Sequence, residues 1–203
     1  NFAIQFTDGF TIPNSISGIG NEDSGEGSPY TDSYSDSLAD IAMYYYKTNI
    51  QTGLTYNKVP VRPGCPTPST CSSTSCRSNS TTNPTADSYR NPHMNTITVG
   101  LGAYGTIFNS PTNNFQYQTV ADFHASPVTW PDISSDRDPR QIDDLYHVAV
   151  NVRGEMLNAR TPAELTQAMQ TAVKTVFQQV GVSSAVTFNT SRLTTASRVY
   201  LSL

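Results

Sequence analysis

The chain has 203 residues, with 12 Lys and Arg against 16 Asp and Glu and a formal charge of −4; the scattered basic residues form no stripe of the kind that neutralises nucleic-acid phosphates. With 36% hydrophobic residues, 12 Gly and 13 Pro, the sequence has room for one domain with a modest core and large loops. Its longest apolar runs, such as Ile97 to Ala103, fall far short of the ~20 residues that a membrane helix needs, so no membrane span is expected.

Phe2, Ile4 and Phe6 alternate with Ala3 and Gln5, which predicts a strand ending at the turn Thr7-Asp8-Gly9. No basic region or cleavage site precedes this strand, so the expectation is a chain that starts in mid-fold or has lost a signal peptide. Residues 11–35 are rich in Gly, Ser, Asn and acids without periodicity and read as a long loop, a kind that is usually functional or disordered. Within it Asn21, Asp23 and Glu26 resemble part of a calcium loop. They lack its twelfth-position acid and third oxygen position, and therefore read as solvated.

Ser37 with Asp40 marks a helix start, and Leu38, Ile41, Ala42 and Tyr45 supply a buried stripe for a helix over 37–49. Residues 51–93 are low-complexity and carry Cys65, Cys71 and Cys76 in a Pro/Ser/Thr-rich stretch. The natural reading is an oxidising compartment and one local disulfide with a thiol left over. Zinc is the competing reading, and it lacks a fourth ligand and a histidine at finger spacing.

Thr96 to Leu101 predicts a strand covered on both faces, which favours an α/β sheet. Residues 105–140 read as irregular and contain Trp130; a helix follows with Ile142, Leu145, Val148 and Ala149 on its apolar side. On that helix Asp143, Asp144 and His147 read as N-terminal charges and a packed histidine, with His147 able to pair with Asp143 one turn earlier. His93 and His124 fall in loops without evident partners.

A short strand over 154–158 leads to Thr161-Pro162-Ala163-Glu164, which combines an N-cap, a first-turn proline and a capping-box acid. Leu165, Ala168, Met169, Ala172, Val173, Val176 and Phe177 keep the helical period until Gly181. From Ser183 onward, Val186 to Phe188 and Val199 to Leu201 predict strands of a separate β region. The alternation of strands and helices implies a parallel sheet with crossover helices. Three strands make a thin sheet, so further strands are expected from an upstream segment. No nucleophile elbow, His-Glu-x-x-His or phosphate loop is present, which leaves an enzymatic reading, such as a secreted hydrolase, without support.

Five strings carry a resemblance: NFAIQFTDG (1–9), PYTDSYSDSLADIAMYYY (29–46), HMNTITVGLGAYG (93–105), IDDLYHVAVNVRGEML (142–157) and the helix from Thr161 to Val176. Together they resemble the PilY family of type IV pilus tip-associated proteins, with the cysteine insertion, residues 57–92, as the main departure. The resemblance implies that residues 1–181 are the C-terminal half of a von Willebrand factor A-like domain, a partial Rossmann-type parallel sheet flanked by helices. It implies that residues 182–203 lead towards a following β domain.

The resemblance further implies an extracellular protein at the pilus tip or cell surface that contributes to adhesion, pilus assembly and twitching motility. Its implied partners are the upstream half of the same domain, minor pilins or other pilus subunits, and a host or abiotic surface ligand. Asp8 matches the aspartate of the metal-ion-dependent adhesion site, which implies Mg²⁺ or Ca²⁺ in the complete domain. The Asp-x-Ser-x-Ser turn and distant Thr of that site belong upstream, and Asp23-Ser24 does not supply them. An Asp-Gly turn with no ligand is the plain alternative for Asp8, and a structural spacer contacting other pilus subunits is the alternative for the chain.

Overall fold

The computed structural model describes residues 2–9, 17–48, 93–134, 138–180, 186–188 and 199–201. The segment with Cys65, Cys71 and Cys76 lies outside them, and with it the expected disulfide. Strands β1 (Phe2–Thr7), β2 (Asn95–Leu101) and β3 (Glu155–Ala159) form one sheet in the order β1-β2-β3. Both pairings are parallel, with Ile4 beside Ile97 and Thr98 beside Met156. As expected of a strand covered on both faces, β2 is buried from Asn95 to Gly100.

Helix α1 (Leu38–Lys47) connects β1 to β2, and α3 (Arg140–Asn151) connects β2 to β3. The two crossover helices pack on each other, and α3 also lies on β2 and β3. The Thr98 hydroxyl donates to the Leu145 carbonyl of α3 at 3.2 Å, so this face of β2 looks at α3. Met156 pairs with Thr98 on that same face. Its neighbour Glu155 points the other way, where its carboxylate accepts from Thr175 of α4 (Pro162–Val180) at 3.3 Å. Helices therefore cover both faces, and the architecture is a partial Rossmann-like, von Willebrand factor A-like sheet.

The apolar period of α4 is only half used. Ala168 and Ala172 are buried, whereas Val173 and Phe177 are exposed, the latter at 70%. Farther along the chain, β4 (Val186–Phe188) and β5 (Val199–Leu201) pair antiparallel where strands were expected.

Four features depart from the sequence reading. The stretch over 105–140 holds a 3₁₀ turn, Pro111–Asn113, and a helix, α2 (Val120–Ala125), whose N-cap Thr119 and Asp122 form a reciprocal capping box. In α1 the buried face is Ala39, Ala42, Met43 and Tyr46, while Tyr45 is exposed. The face turns because Tyr46 packs edge-on against His93 at 5.0 Å and its ring also receives the Arg153 guanidinium. Helix α3 has no solvent face: Gln141 to Asn151 are all buried, Asp143, Asp144 and His147 included. In the loop before α1, Asp23, Glu26 and Tyr30 are buried and not solvated, whereas neighbours such as Ser24, Gly25 and Ser33 are exposed.

Candidate functional site

Asp8 is exposed, one residue beyond the carboxyl end of β1. The turn that carries it is local: Thr7 Oγ1 donates to the Gly9 carbonyl at 2.6 Å and accepts the Gly9 N–H at 3.3 Å. Beside it lies a cleft of about 270 Å³ whose walls include Gln5, Thr7, Gly9, Leu38, Gln141 and Leu145. The carboxyl ends of parallel strands are where open α/β sheets place ligands. Among the described residues Asp8 belongs to no group of three or more side chains placed to hold an ion. One carboxylate does not make the roughly six-oxygen shell of Mg²⁺ or Ca²⁺, so these residues alone do not fit such an ion.

Acids of the loop before α1, together with Asp40 of α1 itself, accept bonds from that loop's backbone. Asp36 Oδ1 accepts the N–H groups of Ile19 and Gly20 at 3.0 and 2.8 Å. Asp40 Oδ1 accepts from Glu22 N at 2.8 Å, and Asp23 Oδ1 from Asp32 N at 3.0 Å. A loop without regular structure is thereby supplied with acceptors for the N–H groups it cannot pair internally.

The same economy holds on α3. Asp144 accepts the first backbone N–H groups of α1, from Leu38 and Ala39, both at 3.1 Å. Asp143 accepts four bonds from residues 106–108, including the Thr106 hydroxyl at 2.6 Å. Asp143 is therefore spoken for, and His147 does not pair with it.

His147 instead meets Asp23 and Asp32. Nε2 lies 3.3 Å from Asp23 Oδ2 and Nδ1 lies 3.5 Å from Asp32 Oδ2. The Tyr30 carbonyl is hydrogen-bonded to Nε2, and the Asn151 amide donates to Asp23 Oδ2 at 2.9 Å. Trp130 stacks on the imidazole with centroids 4.0 Å apart and anchors its own Nε1–H on the Pro29 carbonyl at 2.9 Å. These two acids and His147 form a cluster by composition suited to a metal. The geometry argues otherwise. In a metal site one imidazole lone pair and the carboxylate oxygens converge on a common point about 2 Å from each; here the carboxylates meet opposite nitrogens of the ring, and Nε2 is already committed to a carbonyl.

Sequence reasoning placed Asp8 and recognised His147 as packed, but missed Asp32, Tyr30 and Asn151. The four-residue spacing of His147 and Asn151, which sets both on one helix face, was the available signal. His124 lies on α2 and not in a loop, with its ring edge-on to Tyr30, and the loop residue His93 has Tyr46 as a ring neighbour; the reading of isolated loop histidines foresaw neither contact.

The type IV pilus biogenesis factor PilY1 of Pseudomonas aeruginosa strain PAO1 is 31% identical over 193 residues, covering 84% of this chain. The PilY1 proteins of strains PAK and UCBPP-PA14 are 30% and 31% identical, over 84% and 69% of the chain. The chain belongs to the PilY family. It spans only 12–15% of the length of these PilY1 relatives. No family model and no solved structure matches the chain.

Proposed function

We propose that this chain is a non-enzymatic adhesion and assembly module of a type IV pilus tip protein, outside the cell or at its surface. Residues 1–181 would be the C-terminal half of its von Willebrand factor A-like domain and 182–203 the lead into the next. The observation that carries the binding reading is the place of Asp8: exposed, at the carboxyl end of a parallel strand and beside a cleft. The similarity to PilY1, a pilus biogenesis factor by name, supports the connection to pili.

In this reading Asp8 and its cleft contact a host or abiotic surface ligand, while other faces meet minor pilins or other pilus subunits. Any Mg²⁺ or Ca²⁺ at Asp8 would require ligands from outside the described residues. The test is Asp8→Ala in the full-length protein within its own bacterium, scored for surface pili, twitching and attachment. Normal pili with reduced attachment are expected, since an exposed turn residue contributes little to stability. Unchanged attachment at normal piliation would refute the binding reading. If deletion of residues 57–92 then removed pili without affecting ligand binding, the structural spacer would be the better description.

A further inference from the structure

We propose that His147 is a pH-sensitive latch that fastens the loop over 17–36 to α3, closed while the imidazole is doubly protonated and released as it loses a proton. The argument starts from geometry. The ring is 2% exposed and has a carboxylate at each nitrogen, Asp23 at 3.3 Å and Asp32 at 3.5 Å, with the Tyr30 carbonyl also at Nε2. All three partners belong to one loop, and the histidine belongs to α3. Only the imidazolium carries N–H on both nitrogens, so only it can satisfy both sides at once. A neutral ring turns a lone pair towards one of the carboxylates, leaving a buried charge without its counter-charge.

Groups on the surrounding elements do not replace that charge. On α3 itself, Asp144 is another acid, and Asn151 gives Asp23 a neutral donor. From α1, Asp40 is occupied by the Ser37 and Glu22 N–H groups. Trp130 presents a ring face. The nearby cations are Arg153, whose guanidinium lies over the Tyr30 ring at 3.9 Å, and Lys47, which pairs with Glu22 and Glu26.

Burial by itself would push the His147 pKa down. The Asp32 contact, the Asp23 charge and the Tyr30 carbonyl outweigh it and hold the pKa above the ordinary histidine value of 6.5. A folded-state pKa raised in this way gives stability that is fully present below the unfolded value and is lost as pH rises through the folded one. The latch therefore holds on the acid side of the His147 pKa for as long as Asp23, whose own pKa burial raises, stays ionised, and it opens towards alkaline pH.

Hydrogen exchange read by mass spectrometry on the full-length protein tests the latch, with rates corrected for intrinsic pH dependence. Peptides from 17–36 are expected to lose protection by up to roughly tenfold per pH unit between the ordinary histidine value of about 6.5 and the higher folded-state value of His147, and to level off above it, while β2 stays constant. His147→Gln should lower loop protection where the wild-type latch is closed, leave it close to that of the wild type in alkali, and abolish the pH dependence. Asp32→Asn, a milder change, should move the midpoint to lower pH, and serves if the glutamine variant does not fold. Loop protection that is flat from about pH 6 to about pH 9 in the wild type would overturn the proposal. So would pH-independent protection gained on adding Zn²⁺, which would make the cluster a metal site.

Discussion

The carboxylate of Asp144 on α3 accepts the backbone N–H of Ala39 on α1 at 3.1 Å, across 105 residues of sequence. Its other oxygen takes the Leu38 N–H at the same distance. The first N–H groups of any helix lack intrahelical partners, and here the local cap, Ser37 with Asp40, satisfies part of that need while a distant side chain satisfies the rest. The bond also fixes the docking of one crossover helix on the other.

Asp144→Ala should therefore cost more than loss of the local cap. About 2–4 kcal/mol is expected, because one buried and one partly buried donor lose their acceptor and the charge beside the helix terminus is removed. Ser37→Ala should cost about 1 kcal/mol. Asp144→Asn, which keeps one acceptor oxygen, should fall between them. Denaturant midpoints of the three variants give the order, and equal losses for Asp144→Ala and Ser37→Ala would contradict the shared-cap account.

How far the sequence discloses this structure depends on the range of the contacts involved. The β1 alternation, the apolar run of β2, the capped start of α4 and the two short C-terminal strands are local signals, and all lie where they were read. The buried face of α1 was misread because Tyr46 turns inward for His93 and Arg153, partners set by tertiary packing. Helix α3 looked amphipathic because its polar residues were assumed to meet water; they meet acceptor-hungry loops instead. Asp8 was legible as a strand-end turn, but the acids around His147 were not, since nothing local ties residues 23 and 32 to 147. Helix α2 is a plain miss: the Thr119 and Asp122 pair was a readable capping box.

Asp143 makes a second long-range anchor, and Gly105 leaves room for it. A Cβ at Gly105 would collide with the Asp143 carboxylate, which accepts the N–H groups of Thr106, Ile107 and Phe108. Gly105→Ala must displace either the backbone or the acid, and is expected to destabilise by about 2–3 kcal/mol. Asp143→Asn should show a comparable loss, and the double variant less than the sum, since both act on one set of bonds. Additive losses in thermal or denaturant unfolding would mean that the two residues do not act through the same contact.

His124 should give the molecule an acid limb opposite in sign to the latch at His147. Its ring meets Tyr30 edge-on with centroids 5.5 Å apart, and neither nitrogen has a hydrogen-bond partner. Burial first, and then the Arg153 charge, push its pKa down to about 4. For a group depressed in the folded state, stability is present above the unfolded value of about 6.5 and is lost as pH falls through the folded one. The loss should be on the order of 2 kcal/mol, because a partly buried ring feels solvent screening. His124→Phe keeps the ring packing and removes the proton site, so its stability should equal or exceed that of the wild type near neutral pH and exceed it increasingly towards about pH 4. Unfolding curves across that range check the slope, and NMR titration of the ring checks its cause. A His124 that titrates at its ordinary value, or a His124→Phe variant with the same acid slope as the wild type, would assign that limb to other groups.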